Sequence, residues 1–120
     1  MKILLVDDEV EFVSTLAERL SFRGIEADWA ASAEEALKLS ENGIYDIALL
    51  DVKMPRVSGL ELKKELERKN PDMRFIFLTG HGSEEDFMRG IAESGVSCYL
   101  AKPLNIETLV EKINEILGKE

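Results

Sequence analysis

The chain has 120 residues, 45% apolar and 32% charged, with a net charge of −9. That length holds one domain able to bury roughly two-thirds of its unfolded surface, and the acidic balance argues against direct nucleic-acid contact or docking on anionic lipid, which need basic surface. A single cysteine, Cys98, leaves no internal disulfide and fits a reducing compartment; apolar runs fall far short of the ~20 residues that span a bilayer, and acids follow Lys2 where a signal peptide stays apolar, so no membrane contact and a cytoplasmic location are expected.

Short apolar or alternating runs at residues 3–6, 25–29, 47–50, 75–78 and 97–101 predict five strands, each followed by a longer segment of helical spacing. Cys98 reads as a buried strand thiol. The first helix gathers Val13, Leu16, Ala17 and Leu20 on one face, and the last gathers Leu109, Ile113, Ile116 and Leu117. Ser32 with Glu35, Ser58 with Glu61 and Ser83 with Asp86 have the spacing of capping boxes, and Asn105 is placed to cap the final helix. Gly24 and Gly43 mark helix ends. Strict alternation implies a single doubly wound (βα)5 domain, residues 1–120, with a five-stranded parallel sheet and right-handed crossovers. Trp29, at the end of the second strand, is expected to pack rather than to do chemistry.

In such sheets ligands bind beyond the carboxyl ends of the strands. The first strand runs straight into Asp7 and Asp8. Asp51 follows the third, Thr79 the fourth and Lys102 the fifth. Singly, each is an ordinary turn or cap residue, and Asp8 with Glu11 has helix-cap spacing. Together they place three carboxylates, a hydroxyl and an amine on one rim. Two unit charges ~5 Å apart at an effective dielectric of ~20 repel by roughly 3 kcal/mol, so the acids need a cation, and hard oxygen donors select Mg²⁺ or a similar ion. A metal held by few carboxylates keeps positions open for water and a phosphoryl group. One carboxylate can then act as nucleophile and form an aspartyl phosphate, with Lys102 neutralising the developing charge. Asp51 is central and is the expected nucleophile.

With these residues in place, LLVDDE at 4–9, LLDVKMPRVSG at 49–59, FLTGHG at 77–82 and YLAKP at 99–103 resemble the receiver domain of bacterial two-component response regulators over essentially the whole chain. The resemblance implies a flavodoxin-like strand order 2-1-3-4-5 and Asp51 as phosphoacceptor. It further implies Mg²⁺ held by Asp8 directly, by Asp7 largely through water, by Asp51 and by the backbone carbonyl of Lys53. Lys102 would pair with the phosphoryl oxygens, Pro103 would follow a cis peptide, and Gly80 would let backbone approach the phosphoryl group. Met54, Pro55 and Gly59 match the family's loop after the acceptor. Thr79 and Tyr99 would form the switch, altering a surface over about residues 84–118 that meets an output domain or target protein, or a second copy of the chain. The phosphodonor would be a sensor histidine kinase or a phosphotransfer protein. Lys53 and His81 stand at positions that line the mouth of the site and are expected to tune phosphoryl lifetime. Leu104 replaces the family's frequent Phe.

Other readings compete. A haloacid dehalogenase-type Mg-dependent phosphatase places its two acids at alternate positions, whereas Asp7 and Asp8 are adjacent. A flavodoxin needs a Ser/Thr/Gly phosphate loop where this chain has DDEVE. A pseudo-receiver, a protein-binding module without phosphate turnover, usually lacks an acid, the Thr or the Lys, all of which are present. The expected role is thus signalling rather than enzymatic, and both a stand-alone regulator and one joined to an output domain remain open.

Overall fold

The computed structural model describes residues 2–52, 58–79 and 99–118. Within them the strands are β1 (Lys2–Val6), β2 (Glu26–Ala30), β3 (Ile47–Asp51), β4 (Arg74–Thr79) and β5 (Tyr99–Ala101), and the helices are α1 (Val10–Ser21), α2 (Ala33–Asn42), α3 (Gly59–Lys69) and α4 (Ile106–Ile116). All pairings are parallel, in the order β2-β1-β3-β4-β5. This is the order implied by the family resemblance. The segment predicted to hold a further helix after residue 83, with its Ser83–Asp86 cap, lies outside the described residues, as do Cys98 and the start of the fifth predicted strand.

Alternation along each strand divides the apolar residues between two cores. Leu4, Val6, Ala48, Leu50, Phe75 and Phe77 pack with Ala36 of α2 and with Leu62 and Leu66 of α3. Their neighbours Ile3, Leu5, Ile47, Leu49, Ile76 and Leu78 pack on the opposite face with Val13, Leu16 and Leu20 of α1 and with Leu109 and Ile113 of α4. The interiors of the central strands β1, β3 and β4 are therefore apolar because both faces are covered, whereas edge strand β2 carries Glu26 and Asp28.

The helix starts follow the predicted side chains. Ser32 Oγ accepts from the Glu35 N–H and Ser58 Oγ from the Glu61 N–H, each at 3.2 Å. Asn105 Oδ1 accepts from the N–H groups of Glu107 and Thr108. An Asn105→Ala variant loses the only side-chain cap of α4 among the described residues and should be less stable by about 1 kcal/mol, measurable as a lowered urea midpoint at unchanged m-value.

Two end signals differ. Gly24 has φ +76°, the left-handed conformation that ends α1. Gly43 caps α2 with φ −163°, an extended backbone any residue adopts, and the Lys2 ammonium passes it. Trp29 is 37% exposed on edge strand β2, which continues to the buried Ala30, so its packing is only partial. One polar cluster had no sequence signal. The buried Tyr45 donates from its hydroxyl to Asp28 Oδ2 at 2.7 Å, and Lys2 Nζ lies 3.6 Å from the same oxygen and over the Tyr45 ring. Burial, and then the bond to Asp28, push the Tyr45 hydroxyl above the usual tyrosine range, so it stays protonated.

Candidate functional site

Parallel pairing brings the carboxyl ends of β1, β3, β4 and β5 to one edge. Asp7 directly follows β1, and its N–H donates to Ala30 O at 3.1 Å, extending the β1–β2 pairing past the strand. Asp51 is the last residue of β3, opposite Leu78. Thr79 ends β4, and its carbonyl accepts from the Lys102 N–H at 2.8 Å. Asp7, Asp51 and Thr79 are buried, at 2%, 5% and 6% exposure, whereas Asp8 faces solvent.

The carboxylates converge. Asp7, Asp8 and Asp51 each offer an oxygen, and these oxygens all lie within 4.8 Å of one another. Lys102 Nζ sits 3.0 Å from Asp7 Oδ2, 3.8 Å from Asp51 Oδ2 and 2.7 Å from Glu9 Oε1. Burial alone would lower the Lys102 pKa. The hydrogen bonds to Glu9 and Asp7 and the charge of Asp51 outweigh it, holding the ammonium above the usual lysine range. Lys102 thus remains charged at any pH near neutrality.

One ammonium does not balance this cluster. Among the described residues three carboxylates, those of Asp7, Glu9 and Asp51, contact it. Asp8 lies beside Asp7 and Asp51, and Asp7 Oδ2 is buried with no hydrogen-bond partner of good geometry. Its 3.0 Å contact with the Lys102 ammonium is an ion pair of poor directionality rather than a directed hydrogen bond. A buried carboxylate oxygen without a directed donor, in an all-oxygen set, suits a hard divalent cation. Asp7, Asp8 and Asp51 therefore form an acidic cluster fit to hold a metal.

The two residues expected to form the switch are among those described. Thr79 Oγ1 points toward Leu100 O at 3.5 Å, and the Tyr99 side chain, 45% exposed, lies outside the core. The Lys102–Pro103 peptide is cis. Leu104 packs against the α1/α4 core. Lys53, Met54, Pro55, Gly80 and His81 lie outside the described residues.

Gly59 is placed by contact rather than by torsion. A Cβ there would come 2.8 Å from Asp51 O, 3.3 Å from Val52 Cα and 3.4 Å from Phe77 Cε1, and its N–H donates to Val52 O at 3.3 Å. The start of α3 thus lies directly against the peptide of Asp51. Two residues carry contacts that the sequence did not assign. Glu9 makes the shortest contact to Lys102, and the Phe12 ring lies 5.2 Å from the ammonium. The acidic run DDE was the only hint of Glu9. The distance from Phe12 to the fifth strand is a property of the fold, not of the local sequence.

The sequence matches the response regulator receiver domain family over residues 3–114. It is 43% identical over 118 residues to the transcriptional regulatory protein CpxR of Klebsiella pneumoniae, covering 98% of this chain and 50% of CpxR; the chain spans about half the length of the curated relatives it matches. A CheY-like receiver domain protein from Methanospirillum hungatei superposes with a TM-score of 0.88 at 35% identity, covering 98% of this chain and 93% of that one. The response regulator TrrA of Thermotoga maritima, solved in complex with Mg(2+)-BeF, gives a TM-score of 0.80 at 36% identity over 96% and 97% of the two chains. No helix among the described residues is long and apolar enough to cross a membrane. A sheet of order 2-1-3-4-5, an acidic rim facing a lysine, and a family match over nearly the full length agree: the chain belongs to the receiver domains of two-component response regulators.

Proposed function

We propose that residues 1–120 act as a phosphoacceptor switch in which Asp51 takes a phosphoryl group from a phosphohistidine of a sensor histidine kinase or phosphotransfer protein. One observation carries this reading: the oxygens of Asp7, Asp8 and Asp51 lie within 4.8 Å of one another beside the Lys102 ammonium. An Asp51 oxygen attacks phosphorus, the phosphorus–nitrogen bond of the donor breaks, and the imidazole takes a proton from solvent. Attack of water on phosphorus later releases inorganic phosphate and restores the carboxylate. Mg²⁺ held by Asp7, Asp8, Asp51 and the Lys53 carbonyl would supply charge neutralisation at the transferring oxygens. TrrA in complex with Mg(2+)-BeF supports that assignment by analogy.

Lys102 compensates the charge gathering on the phosphoryl oxygens. Thr79, now turned to Leu100 O, gains a better acceptor once Asp51 is phosphorylated. Its rotation vacates space for the Tyr99 ring, and a surface within residues 84–118, to which β5 and α4 contribute, changes its preferred state. That surface would engage an output domain, a target protein or a second copy of the chain. The domain turns over no separate substrate, so its role is signalling in the cytoplasm.

Intact mass after incubation with acetyl phosphate and Mg²⁺ tests this directly. A single phosphate adduct is expected, lost without Mg²⁺ and absent in Asp51→Asn. An adduct that persists in Asp51→Asn moves the acceptor elsewhere, and no adduct on folded protein leaves a binding module without phosphate turnover.

A further inference from the structure

The Lys102 ammonium is closer to Glu9 than to Asp51, 2.7 Å against 3.8 Å. Glu9 supplies no oxygen to the metal-capable trio, and its backbone is held independently of its side chain, with the N–H donating to Asp7 Oδ1 at 2.9 Å. Phe12, one turn along α1, presents its ring to the same ammonium, an attraction available to a lysine over an aromatic face. Glu9 and Phe12 also line a groove of about 590 Å³ between α1 and the segment 102–106. Lys102 lines the same groove, and its ammonium, though within ion-pair reach of Asp51, lies nearer the Glu9 side of it.

Resting on the phosphoacceptor reading above, we propose that Glu9 is a positioning residue that holds Lys102 off Asp51 and competes with the transferring phosphoryl group for its ammonium. In the resting domain Nζ spends its charge on Glu9 and Asp7. To reach oxygens attached to Asp51 it must leave Glu9, so the contact stabilises the reactant and not the transition state, and interactions of that kind slow a reaction. Glu9 then sets how readily the domain charges itself, and Phe12 keeps the displaced lysine over an apolar surface rather than in water.

The Glu9 side chain is 65% exposed, which places its pair with Lys102 near the weak end for ion pairs. The expected effect of Glu9→Gln is accordingly a rise of about three- to fivefold in the rate of Asp51 phosphorylation by acetyl phosphate at saturating Mg²⁺. Glu11→Gln is the control. It removes one charge from the same end of α1, and Glu11 makes no ion pair with Lys102 among the described residues, so it reports the simple electrostatic gain for an anionic donor. A second readout needs neither metal nor phosphate: the side-chain ammonium resonance of Lys102 in ¹⁵N-detected spectra of the Mg²⁺-free protein should shift in Glu9→Gln and not in Glu11→Gln. Faster phosphorylation in Glu9→Gln than in Glu11→Gln, together with the shifted resonance, supports the proposal. Equal rates in the two variants, a slower Glu9→Gln, or an unmoved resonance overturns it while leaving Asp51 as acceptor. No adduct in any of the three proteins overturns the phosphoacceptor reading and this inference with it.

Discussion

Lys102→Ala is expected to slow phosphorylation of Asp51 by about a hundredfold, the usual loss when one preorganised donor to a developing oxyanion is removed. The same change should act on stability. Asp7 and Asp51 are almost fully buried, and removing the ammonium takes away the charge that offsets their repulsion with each other and with Asp8. Removing one partner of a buried pair costs about 3–5 kcal/mol. Because Asp8 and Glu9 reach solvent, a loss nearer about 2 kcal/mol is expected here. Mg²⁺ should restore most of it, since a ligand at a hundred times its dissociation constant adds about 2.7 kcal/mol, and with no ammonium competing for Asp7 and Asp51 the variant should bind the ion more tightly than the parent. Thermal unfolding with and without Mg²⁺, beside the acetyl phosphate assay, measures both. A variant charged at the parental rate would remove Lys102 from the reaction, and one whose midpoint ignores Mg²⁺ would remove the ion from the acidic cluster.

Gly59→Ala carries the second large effect. Alanine is the better helix former by about 1 kcal/mol, yet the new methyl would stand 2.8 Å from Asp51 O. The obstacle is backbone, which cannot rotate aside, so the start of α3 must retreat from β3 and stretch the Gly59–Val52 hydrogen bond. Overpacking of this kind costs about 1–3 kcal/mol, enough to reverse the gain in propensity. The displaced peptide also carries the proposed acceptor, and a shift on the order of 1 Å at a reacting group is worth about a hundredfold in rate. Gly43→Ala is the matched comparison, because its Cβ meets only the end of the Lys2 side chain at 3.4 Å and should change stability by less than about 0.5 kcal/mol. Equal urea midpoints and equal phosphorylation rates for the two variants would show that the Gly59 contact is of no consequence.

The positions of Asp7, Asp51, Thr79 and Lys102 on one rim were legible because each follows an apolar run, and strict alternation sends all such run ends to the same edge. The division of the cores followed from the same period: Leu4 and Leu5 differ by one place and so face opposite helices. Other features depend on distances between segments remote in the chain. Tyr45 and Asp28 pair across a gap that no local pattern encodes. Glu9 reads as a third acid in a run, and only the fold, which sets the end of β5 beside the start of α1, brings Lys102 to it. Gly43 looked like a left-handed stop because glycine usually is one, but the chain leaves α2 extended there.

The two cores have a practical consequence for protein engineering. Since the sheet keeps the α1/α4 packing separate from the α2/α3 packing, helices on one side can be exchanged as a pair while the other side retains its contacts. Grafting α2 and α3 from a relative leaves Lys102, Glu9 and Phe12 untouched, and the graft must keep the close approach of Gly59 to the peptide of Asp51.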